Sequence, residues 1–465
     1  MMPLSSCRPT SAGVSRPLAA VVLGVLALLP ATETHAQFGG GFGFGQAVGG
    51  ISIDTSGIVR NLEPGAIAEL ATKRRDALAK AGGRPTAASE LRKVSLARVI
   101  AAVEAAATGG KPLPPEVLFL GGLERVTHLF VDPEGHDIVR AGPADAAVVD
   151  AAGNVVASNS RRPLLLLEDL VVALRVIDGA RDGGMRCSID PDPAGVTKVQ
   201  QFLRDQKPVT GRPDATLRKM EELLGPQRVS VGGVPADSRL ARVLVAADYR
   251  LKRIGMGLEP SGVTGLPSYV SMLTTAPAGG MLPRFWLEAS YDPIARDPDE
   301  LAWRIGGRRM TCLTENDIVG RDGTVRGAGG TDRRAATWCE AFTSHYDELA
   351  EKQPVFAELV NCVDLAVVAA LIHGRQLDKR AGLDLAPLLD PARVKVPAYD
   401  APATVPTVAS AIERGGRWVV SASGGVQFQP WAFATATADK ADATLSTARG
   451  TALAARGGAG SCWWD

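Results

Sequence analysis

GVPADSRLARVLVAADYRLKRIGMGLE, residues 233–259, joins a glycine–proline turn to a helix start and a long apolar stripe. Asp237 or Ser238 offers a side-chain oxygen to the first turn, whose backbone N–H groups have no intrahelical acceptor. From there Leu240, Val243, Leu244, Ala247, Leu251 and Ile254 fall within about 100° of arc at about 3.6 residues per turn, which predicts an amphipathic helix with that stripe in the core. Arg242, Tyr249 and Arg253 stand on the opposite side, and Asp248 precedes Lys252 by one helical turn as a surface pair. That face is a candidate docking site for an acidic polymer or partner. The alternative is a solvated face with Tyr249 stacked on Arg253, the commoner fate of a charged helix face.

Outward from this helix the chain alternates. MRCSID (185–190) and QRVSVGG (227–233) read as strands, with helices over 194–206 and 216–224 between them. PLLLLEDLVVALRVIDG (163–179) is an apolar run followed by a helix whose first turn holds Glu168 and Asp169, where the helix dipole favours acids. This alternation suggests an α/β sandwich over about 160–260. Asp and Gly turn signals between β-branched residues predict hairpins in ISIDTSGIVR at 51, AVVDAAGNVVA at 147 and NDIVGRDGTVRG at 316. RFWLEASYD (284–292) reads as a strand. LAWRIGGRRMTCLTEN (301–316) reads as a hairpin about Gly306-Gly307, with Leu301, Trp303 and Ile305 facing Met310 and Cys312.

Asp332 to about Lys352 is predicted as one helix, and Pro354 opens a second that runs to a glycine stop at Gly374. The expected fold class is α+β. Its regions are a hairpin-rich N-terminal α+β part (51–160), a central α/β part with a β-hairpin (161–330), a helical hairpin (331–385) and a Pro/Ala-rich tail with one hairpin (386–465). The chain ends in SCWWD, and Trp463 and Trp464 are expected to dock on the body or on a partner, since exposed they would form an unusual apolar patch.

The first 36 residues read as an export signal. Arg8 and Arg16 form a basic start, Leu18 to Leu29 an apolar run, and Thr34-His35-Ala36 a cleavage site, so the mature chain is expected to begin near Gln37 with a glycine-rich leader to residue 50. The apolar run is short of the roughly 20 residues a membrane span needs, and no later segment reads as a span. Arg8, Arg16 and Glu33 leave with the signal, so the 51 basic and 50 acidic residues fall to equal numbers. A neutral chain lacks the basic excess of a nucleic-acid binder.

Familiar catalytic sets are missing. There is no G-x-S-x-G, Ser-x-x-Lys, H-E-x-x-H, C-x-x-C or phosphate-binding glycine loop, so no cofactor and no metal is indicated. His128 and His136 flank the VDPEG turn and could meet across a hairpin with Asp132 or Asp137, but no third spaced ligand accompanies them. Of Asp190, Asp192 and Gly195, which approach a calcium loop, a proline-bounded helix start is the simpler reading. The mature chain keeps an odd number of cysteines. In a simple helical hairpin Cys339 and Cys362 lie about 21 and 13 Å from the bend, which disfavours their pairing; Cys462 is the more mobile candidate partner.

RCSIDP, GVPADSRLARVLVAADYRLKRIGMGLE and HYDELAEKQPVFAELVNCVDLAVVAALI together resemble an exported planctomycete family known only as a domain of unknown function, family 1598. DIVR-AGPA (137–144) and RRPLLLLEDLVVALR are similar to that family too, and the resemblance runs from about 51 to about 375. It implies export and a bacterial envelope setting and carries no catalytic residue. The expected function is a non-catalytic binding or structural component of the cell envelope, periplasmic or extracellular, with an envelope protein or polymer as partner and no nucleic acid. The alternative is a secreted hydrolase with a dispersed Asp/Glu/His site.

Overall fold

The computed structural model describes residues 48–80, 87–110, 112–205, 214–273, 281–320, 323–325, 332–408, 412–414, 417–419, 423–435, 442–457 and 460–465. The export signal and all but the last three residues of the glycine-rich leader lie outside the described residues. Ser238 caps the helix, its Oγ accepting from the Ala241 N–H at 3.1 Å, and the helix runs Arg239–Gly255 with the six stripe residues buried.

This helix packs on one face of a seven-stranded sheet. The strand order is Gly323–Val325, Arg309–Gly320, Met281–Ser290, Ser423–Phe428, Met185–Asp190, Gln227–Gly232, Thr404–Val405. Neighbours are antiparallel except Met281–Ser290 with Ser423–Phe428. Two-residue periodicity sends Cys187, Ile189, Phe285, Leu287, Val426 and Phe428 into the core. Arg186, Ser188, Arg284, Trp286 and Gln427 take the other face. The strand–helix–helix–strand order of the centre is as its pattern suggests. Pro193–Asp205 and Asp214–Leu224 pack on each other and return the chain to the adjacent antiparallel strand instead of carrying it over to a parallel one. The fold is α+β throughout.

A six-stranded antiparallel sheet runs Ala295–Arg296, Ala302–Arg304, His128–Asp132, Asp137–Ala144, Ser89–Ser95, Trp463–Trp464. Leu129, Val131 and Ile138 enter the main core, while Phe130, Val139 and Ala141 meet Leu445, Ala452 and Trp464 on the other side, so both faces are covered. The predicted hairpin at 301–316 is therefore a change of sheet: Ala302–Arg304 pairs with His128–Asp132, whereas Arg309–Gly320 pairs with Met281–Ser290. Gly307, at φ +102°, makes the turn, and a Cβ there would lie 2.3 Å from the Asp292 backbone nitrogen.

Two further predictions change in the helical region. The 332–352 helix, capped by Asp332, breaks at His345 into Arg333–Ser344 and Tyr346–Lys352. Pro354–Gly374 does have the length and apolar composition to cross a membrane, contrary to the sequence reading, yet it is wholly wrapped by protein. Helices on several sides account for its apolar surface, and its Glu358, Asn361 and Asp364 find partners inside.

The tail is not an appendage. Ser423–Phe428 is inserted within the seven-stranded sheet and Trp463–Trp464 closes an edge of the other. The tail hairpin, read from the sequence over GRWVVSASGGVQFQPW (416–431), pairs differently: Arg417–Val419 pairs with Ile412–Arg414, and Ser423–Phe428 joins the large sheet. The hairpins at 51, 147 and 316 pair as their turn residues predict.

Candidate functional site

The outer face of the seven-stranded sheet carries a groove of about 220 Å³. Strand register lines up Trp286, Gly425, Ser188 and Ser230 across four neighbouring strands. A Cβ on Gly425 would fall 2.2 Å from the Cys187 carbonyl oxygen, so the floor stays bare there. Arg186 and Arg284 flank this floor. Arg186 Nη1 donates to the Gly183 carbonyl at 2.9 Å, and Arg284 lies over the Trp286 ring at 5.0 Å. Glu315 is 3.9 Å from Arg284, outside hydrogen-bond range, and the Arg284 Nε is buried without a hydrogen-bond partner among the described residues. Ser188, Ser230 and Gln427 add neutral polar groups, and no carboxylate or imidazole lines the groove among the described residues. Two guanidinium groups beside an indole and a flat polar floor suit an anionic group attached to an apolar ring face or stem.

A second cluster lies on the other side of the sheet, buried among helices. Arg239, at the start of its helix, donates to Asp169 and, at 2.9 Å, to Glu358; its Nε stands 3.9 Å from Glu168. Tyr399 donates to Glu168 at 2.9 Å, and the Cys362 thiol faces Asp169 at 3.8 Å. Burial, and then the neighbouring Asp169, push Glu168 up to about 7. Burial also raises Asp169 and Glu358, and the Cys362 thiol stands well above its ordinary range for the same reason. These are the converging carboxylates a hydrolase would require, but the adjoining cavity is about 30 Å³. That space admits a water molecule, not a sugar ring or a peptide. The cluster is a buried ionic joint between the helices Leu167–Val176, Arg239–Gly255 and Pro354–Gly374.

The residues singled out from sequence do not share one open face. Arg242 is buried, sits 4.9 Å over the Tyr399 ring and donates to the Asp400 carbonyl at 2.9 Å. Tyr249 and Arg253 do meet, at 5.3 Å, and Arg253 is held by Glu259, which Arg250 also engages. The Asp248–Lys252 pair, expected at the surface, is buried under Met185–Asp190, with Lys252 donating to the Ile189 carbonyl as well. The sheet covers the helix on a side where the apolar stripe alone marks no contact. Trp463 and Trp464 dock on the protein's own body: Trp464 Nε1 donates to the Ala452 carbonyl and Trp463 Nε1 to Glu116.

His128 and His136 do not meet. His128 stacks on Phe130 at the far end of its strand and His136 contacts the Ala381 carbonyl, while Asp132 and Asp137 share Arg456. Asp192 caps its helix through the Ala194 N–H and pairs with Arg228. Among the described residues no three His, Cys, Asp or Glu side chains converge as metal ligands. Cys462, thought mobile, is buried against the Glu116 carbonyl. The groove itself escaped the sequence reading, because its walls come from strands about 100 and 240 residues apart that only the sheet order brings together.

No curated protein and no solved structure matches this chain. Of the segments that carried the resemblance, GVPADSRLARVLVAADYRLKRIGMGLE and RCSIDP from Cys187 onward fall inside the span that a family model matches, and HYDELAEKQPVFAELVNCVDLAVVAALI falls beyond it. Residues 187–269, which supply two strands of the groove and the helix beneath it, match the family described as protein of unknown function (DUF1598).

Proposed function

We propose that this protein is an exported, non-catalytic binding component of the bacterial cell envelope that holds one unit of an anionic envelope polysaccharide in the groove of its seven-stranded sheet. The observation that carries this reading is the pair Arg186 and Arg284 set about a Gly–Ser floor beside Trp286. The guanidinium groups suit a carboxylate, the indole suits a sugar ring face, and the volume suits one residue of a chain better than a whole drug-sized ligand. The export half of the reading rests on the basic start, apolar run and cleavage site of residues 1–36.

Calorimetric titration with a uronic-acid oligosaccharide tests the binding half. Saturable, salt-sensitive binding that weakens at least about tenfold in Arg284→Ala and in Trp286→Ala is expected, since each removes a buried part of the contact. Binding that survives both changes, or none at all, sinks the groove as the site. Cell fractionation with N-terminal sequencing tests export separately: a chain beginning near Gln37 in the envelope or medium supports it, and an uncleaved cytoplasmic chain refutes it.

A further inference from the structure

We propose that Cys312 and Cys339 are joined by a disulfide when the chain folds under oxidising conditions. Their sulfurs lie 3.4 Å apart and both residues are buried. A disulfide brings sulfurs to about 2.05 Å, so the two need approach only a little further. The strand and the helix are already held together, because the Cys312 N–H donates at 2.9 Å to the side-chain Oγ1 of Thr343, one helical turn beyond Cys339. The other described cysteines have different surroundings: Cys187 lies near Asp248 and Lys252, Cys362 against Asp169, Cys462 against Glu116. Cys339 meets Cys312, on a strand 27 residues upstream, and not Cys362.

The oxidant is a protein or glutathione disulfide. One cysteine thiolate attacks it to give a mixed disulfide and release one thiolate; the second attacks the protein-bound sulfur and expels the other. Two electrons pass to the oxidant, and the two protons lost by the cysteines are taken up by its two released thiolates, which become thiols. Burial holds the Cys312 thiol well above its ordinary range in the folded state, which disfavours the attacking thiolate. The reaction therefore belongs to folding, before helix Arg333–Ser344 closes on strand Arg309–Gly320, and the finished bond is shielded from reductants. The clamp fixes the strand next to the one that carries Arg284 and Trp286. Its formation in the cell rests on the export reading; its pairing does not.

The test is refolding of the reduced chain from Gln37 to Asp465 in a glutathione redox buffer, followed by alkylation, digestion and mass mapping. A linked peptide joining Cys312 to Cys339, two hydrogens lighter than its parts, with Cys187, Cys362 and Cys462 alkylated, is the expected result. Alkylation of both Cys312 and Cys339, or a link from either to another cysteine, overturns the proposal. Because this uses unsubstituted protein, it does not depend on whether Cys312→Ser or Cys339→Ala folds. Should the refolded chain carry the link while protein from cells is reduced and keeps its signal, the pairing stands and the export reading fails. Reduced protein that has been cleaved and exported overturns the cross-link in the cell.

Discussion

Arg239 and Arg140 are both buried arginines, and their surroundings assign them opposite effects on stability. Arg239 is ringed by Glu168, Asp169 and Glu358. Arg239→Leu leaves those acids uncompensated and is expected to cost about 3–5 kcal/mol, read as a fall in the urea midpoint. Arg140 is fully buried on strand Asp137–Ala144, none of its three side-chain nitrogens has a hydrogen-bond partner among the described residues, and burial pushes its pKa down to about 10. Arg140→Met removes that desolvation cost at similar volume and is expected to leave the midpoint unchanged or raise it; a clear fall would show that the charge has a partner.

Glu168 makes stability depend on pH. Its folded pKa of about 7 stands above the ordinary 4.5, so the folded state binds this proton more tightly than the unfolded chain does. Its contribution is complete below the ordinary value and is lost as pH rises through the folded one. Asp248, pushed by burial up to about 6, acts in the same direction. Stability should therefore decline between about pH 5 and pH 8, and Glu168→Gln should flatten the decline. Denaturation midpoints for the two proteins across that range check this, and equal slopes would contradict it.

The C-terminal strand Trp463–Trp464 shows how a short element can matter. It pairs with Ser89–Ser95, its indoles lie under Arg92, Arg98 and Arg456, and Asp465 neutralises the fully buried Arg92. Deleting 462–465 exposes that edge and strands Arg92. The expected loss is about 3 kcal/mol or more, and an unchanged thermal midpoint would reduce the segment to decoration. Legibility in the sequence also differed by element. Arg239–Gly255 and Pro354–Gly374 announced themselves by cap, period and stop, because a helix closes its hydrogen bonds locally. The segment 301–316 was misread, because the partners of Ala302–Arg304 and Arg309–Gly320 are chosen by distant strands, while the local Gly-Gly signal is common to a hairpin and a change of sheet. His345, where the predicted single helix breaks, has no proline or glycine to mark it.

Across the molecule, Gln37–Asp465 forms one unit. The seven-stranded sheet is assembled from residues between 185 and 428, with a tail strand lodged between Met281–Ser290 and Met185–Asp190. A chain ending at Leu385 would leave that slot empty and is not expected to reach the native fold. Circular dichroism and amide exchange of the truncated protein would show this, and native protection in the remaining strands would argue for separate domains. The groove is a property of this same assembly, since Arg284 and Arg186 stand on the two strands that flank the tail strand, level with Ser423 and Gln427 respectively.

By itself, the sequence determined what depends on near neighbours: the amphipathic helix at 239–255, the apolar helix after Pro354, the turns at 51, 147 and 316, and the α+β balance that such elements impose. Tertiary structure decided which strands lie side by side, and with that the groove, the acid cluster around Arg239 and the meeting of Cys312 with Cys339. The physical reason is the reach of the interactions. Capping, periodicity and turn geometry act over a few residues, whereas strand pairing and the burial of charge are settled only when distant segments compete for the same edge and the same dry volume.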